Sequence, residues 1–221
     1  MQTPILFIIL ARGGSRRIKN KNMKIFKKKP LISWTLEQAL RIKKNQDKVL
    51  LSTDSQQIIE YSKKFKKLEI IKRPKKLATA SSSSLEAIRH AVNKLNYNGN
   101  IVLLQPTSPL RSDNDVTQAI KLIQKGKIPL MSVCECTHDS SLLTFRVPLS
   151  QKFLPINNNK SKVYFPNGAI YGTDSDWVKK NNSFYLKNTH MYLMPEKRSV
   201  DIDYEYQFIM GEALFRSKSH E

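Results

Sequence analysis

Two cysteines, seven glycines and ten prolines are few for 221 residues. So little cysteine excludes a disulfide-stapled scaffold, and so little glycine and proline excludes collagen-like and low-complexity chains. Long apolar runs are missing too: nothing approaches the roughly 20 residues that a membrane helix needs. The stretch Ile5–Leu10 is too short for a signal peptide's apolar core and has no basic segment before it. It reads as a buried strand, and the chain as cytoplasmic. Cys134 and Cys136 lack a matching Cys/His pair and read as reduced thiols rather than a zinc site. What remains is one globular domain over 1–221, 40% hydrophobic.

Acids are scarce as well, 18 against 38 Lys and Arg, giving a formal net charge of +20. The imbalance is local. Residues 1–80 hold 21 basic and 5 acidic residues, 81–160 hold 9 and 5, and 161–221 hold 8 and 8. A basic N-terminal third points to an anionic partner, nucleic acid or a phosphorylated small molecule. The lysine pairs and triplets (Lys27–Lys29, Lys43-Lys44, Lys63-Lys64, Lys66-Lys67) have no interleaved aromatics and read mostly as solvated surface.

Periodicity predicts strands at Ile5–Leu10, Lys48–Ser52, Leu68–Ile71, Asn100–Leu104 and Leu130–Cys136. Helices are predicted between them at Leu31–Ile42, Gln56–Lys64, Leu85–Leu95 and Asp113–Lys125. This alternation means an α/β fold, a mostly parallel sheet with helices on both faces. Val163–Ile170 and Met191–Leu193 are further strand candidates, and Tyr204–Phe215 a terminal helix. Leu142–Lys162, with its prolines and asparagines, reads as an excursion from the sheet. Trp34 and Trp177 read as helix-packing residues.

Open α/β sheets bind ligands at the carboxyl ends of their strands. After the first strand come Arg12, Gly13, Gly14, Ser15, Arg16, Arg17, Lys19, Lys21 and Asn22. Adjacent glycines allow close backbone approach and an N–H cradle for an oxyanion, and the cations suit a polyphosphate. Neither the P-loop nor the dinucleotide fingerprint is present. Asp201-Ile-Asp203 places two carboxylates on one face of an extended segment, suited to a divalent cation shared with phosphates, or alternatively to capping the last helix. Pro106 and Pro109 stiffen a polar loop carrying Gln105, Thr107 and Ser108. Asp54 suits either a cap on Gln56–Lys64 or an approach to the ligand. None of His90, His138, His190 and His220 sits where a general base is wanted.

Six motifs in order, Leu10-Ala-Arg-Gly-Gly-Ser15 with Asn20-Lys-Asn22, Ser52-Thr-Asp54, Arg73-Pro74 with Ser81–Ser84, Leu104-Gln-Pro-Thr-Ser-Pro-Leu-Arg111, Pro166-Asn-Gly-Ala-Ile-Tyr171 and Ser199-Val-Asp-Ile-Asp203, carry a resemblance. The chain resembles the acylneuraminate cytidylyltransferases nearly end to end. The resemblance implies a three-layer, nucleotide-diphospho-sugar-transferase-like fold with a dimerisation arm at 138–165. It implies CTP and an acidic nine-carbon sugar as substrates, Mg²⁺ as cofactor, and a homodimer. Nucleic acid becomes the less favoured partner, with a CMP-Kdo synthetase as the alternative enzyme.

Residue by residue, it implies nucleotide contacts from Ala11, Arg12, Gly13, Ser15, Asn22, Arg73, Ser82, Ser83, Ser84 and Gln105. Gln105, Thr107, Ser108, Asn167 and Gly168 would face the acceptor. Arg12, Lys21, Asp201 and Asp203 would be catalytic, the last two holding the metal. Two positions depart from the pattern: Phe165 stands where an arginine generally precedes Pro-Asn-Gly-Ala-Ile-Tyr, and Cys136–Leu143 lacks the usual His-x-Pro and lysine. These departures leave sialic-, legionaminic- and pseudaminic-type acceptors open, with Arg111 as a substitute ligand for the sugar carboxylate.

Overall fold

The computed structural model describes residues 3–136, 144–146, 153–155 and 162–217. In chain order the regular elements are β1 (Ile5–Leu10), β2 (Ile25–Phe26), β3 (Lys29–Pro30), α1 (Leu31–Ile42), β4 (Lys48–Thr53), α2 (Gln56–Ser62) and β5 (Leu68–Lys72). They continue as α3 (Ser84–Leu95), β6 (Asn100–Leu104), α4 (Asp113–Gln124), β7 (Leu130–Glu135), β8 (Thr144–Arg146), β9 (Phe153–Pro155), β10 (Tyr164–Asp174), α5 (Ser175–Lys180), β11 (His190–Leu193) and α6 (Glu205–Ser217). Seven strands form one sheet in the order β11-β7-β10-β6-β1-β4-β5. All neighbours are parallel except β10, which runs antiparallel to both β6 and β7.

Burial on both faces explains why the central strands are nearly unbroken apolar runs. Phe7 and Ile9 of β1 face one layer, with Leu36 of α1, Ile58 of α2 and Val116 of α4. Leu6 and Ile8 face the opposite layer, with Leu85 and Ile88 of α3 and Val178 of α5. These are the expected three layers. A smaller core joins Ile18, Phe26, Leu31, Leu110, Ile202 and Phe208, tying the β2–β3 hairpin and α6 to the two segments that carry Lys21 and Asp203. Trp34 packs on Phe215 and Trp177 on Phe184, the packing roles expected of them.

The predicted elements are all present, several with unchanged limits. The sequence reading missed the β2–β3 hairpin, the continuation of β10 to Asp174 and the short helix α5, which Asp174 caps by accepting from Trp177 N at 2.7 Å. Most of the excursion at 138–165, with the dimerisation role expected of it, lies outside the described residues; its β8 and β9 form an isolated antiparallel pair. Among the described residues, no helix is long and apolar enough to cross a membrane.

Candidate active site

The loop after β1 is braced from below. The Ala11 N–H donates to Ser52 O at 3.1 Å, the Ser15 N–H to Gly13 O at 3.0 Å, and the Gly13 N–H to Asp54 Oδ1 at 2.9 Å. A Cβ on Gly13 would sit 2.9 Å from Ser55 Cβ, so glycine lets the loop lie against the start of α2; Gly14 faces open space. Gly13 thus serves close packing, and the N–H groups of residues 11, 13 and 15 are engaged inside the protein. Those three N–H groups are therefore not free to join the expected cradle. Asp54 takes a third role beside the two considered for it: Ser55 caps α2, accepting from Ile58 N at 3.3 Å, while Asp54 braces the loop. Asn22 is buried and donates from Nδ2 to Arg12 O at 3.1 Å.

A cavity of about 470 Å³ opens at the carboxyl end of the sheet. Its walls bring together Arg12, Ser15, Lys21, Asn22, Arg73, Ser82, Ser83, Ser84, Gln105, Thr107, Asp201 and Asp203 from the predicted set. Ala11, Gly13, Ser108, Asn167 and Gly168 lie outside its lining. Arg12 Nη1 donates to Thr79 O at 2.8 Å, linking the first loop to the one before α3. Ser83 caps α3 in a reciprocal capping box with Glu86, and Ser82 bonds the backbone of Lys76 and Thr79, so the serine stretch builds a wall. Arg73 is only 6% exposed, and its Nε has no protein partner. Burial pulls its guanidinium below the ordinary value; Asp54 opposes this and Arg12 adds to it. A buried cation with an unmatched donor, aimed at a cavity, is chemically set for an anion or a base carbonyl.

The two carboxylates differ sharply. Asp203 accepts from Lys21 Nζ at 2.7 Å and from Arg17, whose guanidinium also lies over the Tyr204 ring at 4.8 Å. Burial alone would raise the Asp203 carboxyl, but the Lys21 hydrogen bond and the charges of Lys21 and Arg17 hold it below the usual aspartate range. Its side chain does not cap α6; Gln207 Oε1 instead accepts from the N–H groups of Asp203 and Tyr204. Asp201 is more enclosed. Its Oδ1 is buried without a partner, and burial pushes its carboxyl above the ordinary value against the Thr107 hydrogen bond.

On the far side, Gly168 has φ +74, and a Cβ there would lie 3.0 Å from Asp201 Oδ2 and 3.8 Å from Gln105 Oε1. Gly168 therefore borders the carboxylate by having no side chain. Asn167 is buried: its Oδ1 accepts from Ser132 Oγ at 2.6 Å and Ala169 N at 3.2 Å, and its Nδ2 donates to Ser199 Oγ at 2.8 Å. Its amide knits the β10 bulge to β7 and to the segment before Asp201. Ser108 is fully buried.

Arg111 corrects an expectation. It is 3% exposed and donates to Gln38 Oε1, Ala169 O, Gln105 O and Thr35 Oγ1. With its donors engaged behind Gln105, it supports that loop and is walled off from any sugar carboxylate. Phe165 is 45% exposed on β10. Tyr171 and Tyr185 hydroxyls meet at 3.4 Å, with Phe184 against the Tyr171 ring.

The sequence reading gave Arg17 no link to Asp203; no short-range pattern relates positions 186 residues apart. His90 sits on α3, held below its ordinary value by burial, Lys94 and Arg73, and lies outside the cavity lining. No group of three His, Cys, Asp or Glu able to hold a metal alone exists among the described residues, and both cysteines are free.

Similarity to known proteins agrees with this geometry. The chain is 30% identical, over its whole length, to an N-acylneuraminate cytidylyltransferase of Escherichia coli O18:K1:H7, of which it spans 54%. It is 28% identical to the CMP-N,N'-diacetyllegionaminic acid synthase of Legionella pneumophila, covering 95% of each protein. It is 29% identical to a pseudaminic acid cytidylyltransferase of Campylobacter jejuni, covering 96% of each. Its fold matches a CMP:2-keto-3-deoxy-manno-octonic acid synthetase solved with CTP, with a TM-score of 0.71 at 16% identity over 97% of this chain and 99% of that one. Because the model of the cytidylyltransferase family matches residues 6–220, with basic side chains and a carboxylate pair around one cavity, the chain belongs to that family of nucleotidyltransferases.

Proposed function

We propose that this protein transfers CMP from CTP to the anomeric hydroxyl of a nonulosonic acid of sialic, legionaminic or pseudaminic type and releases pyrophosphate. The observation that carries the reading is the meeting, around one cavity, of Arg12, Lys21 and Arg73 with Asp201 and Asp203. The anomeric oxygen attacks the α-phosphorus, the bond to the bridging oxygen of pyrophosphate breaks, pyrophosphate leaves with that electron pair, and the hydroxyl proton passes to solvent.

The carboxylate pair suits Mg²⁺. Both groups are hard oxygen donors, one buried oxygen of Asp201 has no partner, and Gly168 leaves room beside the other. Asp201 and Asp203 would hold the ion together with nucleotide phosphate oxygens, where it neutralises charge on the phosphates when bound. Arg12, Lys21 and Arg17 supply fixed positive charge toward the triphosphate, and Arg73 with the wall before α3 orients the cytidine. Gln105 and Thr107, joined at 3.3 Å, stand between nucleotide and sugar. The reading extends to a homodimer, testable by light scattering.

The test offers CTP and Mg²⁺ with N-acetylneuraminate, legionaminate, pseudaminate and Kdo, and measures pyrophosphate. Turnover with a nine-carbon acid is expected. Turnover with Kdo alone, or none with any acid while RNA binds tightly in a salt-dependent manner, would overturn the proposal.

A further inference from the structure

Residues 195–203 carry the carboxylate pair, yet they contain only one turn of 3-10 helix, Glu196–Arg198. Their place against the cavity must come from outside contacts. Ile202 N donates to Thr107 O at 2.8 Å, and Lys21 Nζ donates to Ile202 O at 2.7 Å. Asn167 holds Ser199, as described. The strongest anchor is more remote. Arg198 forks onto Asp115 of α4, with Nε 2.8 Å from Oδ2 and Nη2 2.9 Å from Oδ1.

Asp115 is fully buried. It also accepts from Ser112 N at 2.8 Å, Ser112 Oγ at 2.7 Å and Tyr192 OH at 3.2 Å. Neither Asp115 nor Arg198 lines the cavity. A pair so deep gains little net stability over a neutral replacement, because desolvation offsets the attraction. What a bidentate Arg–carboxylate fork does supply is direction, since its two parallel bonds fix rotation as well as distance. Here that direction is imposed on a turn three residues before Asp201, upstream of the point where Val200 and Ile202 enter the smaller core.

We infer that the Arg198–Asp115 pair is a positioning device that sets Asp201 and Asp203 for divalent-cation binding; the inference rests on reading those two as the metal-holding pair. Arg198 touches no substrate and acts through the backbone of its own turn. Loss of an outer partner of this kind costs roughly 10–100-fold in metal affinity.

The test measures Mn²⁺ binding to the full chain by the loss of free-ion EPR signal, with and without CTP, beside thermal melting. Arg198→Met is expected to weaken Mn²⁺ binding about tenfold or more. The KM for CTP should stay near that of the wild type while kcat falls. Arg198→Lys, which keeps the charge but not the fork, should recover part of the affinity. Asp115→Asn/Arg198→Gln keeps a neutral hydrogen-bonded pair and should melt close to the wild type, yet still bind Mn²⁺ weakly. Wild-type Mn²⁺ affinity in that double variant, or in Arg198→Met, would overturn the inference. Asp201→Asn separates the two levels: if it too binds Mn²⁺ normally, the metal-site reading has failed rather than the positioning role.

Discussion

The sheet divides at β6 into two unlike halves. On one side β1, β4 and β5 are parallel, so their following loops all emerge at one edge and deliver Arg12 and Arg73 to the cavity, with Asp54 bracing the first loop. On the other side β10 is reversed, and its register break between Pro166 and Tyr171 puts Gly168 beside the Asp201 carboxylate from within a strand. The first half is cationic and tied down before any ligand arrives. The second presents rings, with Phe165 and Tyr185 exposed and the Tyr171 hydroxyl meeting that of Tyr185 within the electrostatic reach of Asp201. A triphosphate is common to every reaction of such an enzyme, so its receptor can be rigid. On the proposed function, the acceptor's shape would be read by the apolar half, where substitution would change selectivity without dismantling the charge.

The largest expected break in this comparison removes the link between the halves. Asp203→Ala should lower Mg²⁺-dependent pyrophosphate release by about 10²–10³-fold or more. Its ion pairs are partly exposed, 41% at the Asp203 side chain, and such pairs add little stability, so the melting temperature should hardly move. Near-normal turnover would mean that the pair only closes the loop. Next in size is Arg73→Met, which strikes the nucleotide half alone. The KM for CTP should rise about tenfold or more, the scale of losing a charged hydrogen bond, with kcat and acceptor KM little changed. A change confined to the acceptor KM would place Arg73 in the wrong half.

Gly168→Ala should act on both halves. It puts a side chain at φ +74 and 3.0 Å from Asp201 Oδ2, at a cost of about 1–2 kcal/mol in stability plus a loss of turnover. Gly14→Ala, where a Cβ meets nothing, should be near neutral, and kinetics of the two variants side by side would expose any general intolerance of glycine replacement.

How far the sequence foretold this follows the same division. Parallel strands with unbroken apolar runs and loops of marked composition are legible locally, and β1, α1 and β6 match their expected limits. β10 was cut short because its second half, Tyr171–Asp174, loses the apolar run at Gly172 and Thr173, and only pairing with β6 extends it. Gly172 is needed there because the Ile123 side chain fills its side-chain space, a tertiary fact without a local trace. In the site, Arg12, Arg73 and the aspartates were visible as motifs. That Asn167 is tied up in β7 and the 195–199 turn, that Arg111 is walled in, and that Arg17 meets Asp203 are all contacts over long sequence separations. A side chain's type announces what it can bond; only the fold decides whether the bond is already taken.

The smallest expected effect is on stability and has the opposite sign to the loss of function. The Asp201 carboxyl is raised by burial, so the fold disfavours its charged form. Below the unfolded aspartate value of about 3.9 the group is protonated in both states and carries no penalty; as pH rises through the folded value the penalty grows to its full size. Asp201→Asn should therefore melt slightly above the wild type at pH 7, and the gap should close as pH falls toward the unfolded aspartate value. Mg²⁺ should narrow the gap too, by stabilising the wild type alone, while the variant stays inactive. Thermal melts of both proteins across pH, with and without Mg²⁺, read this directly. A variant that melts below the wild type at neutral pH would mean that the buried carboxylate is matched by a donor within the protein, and that the acceptor half is as preorganised as the nucleotide half.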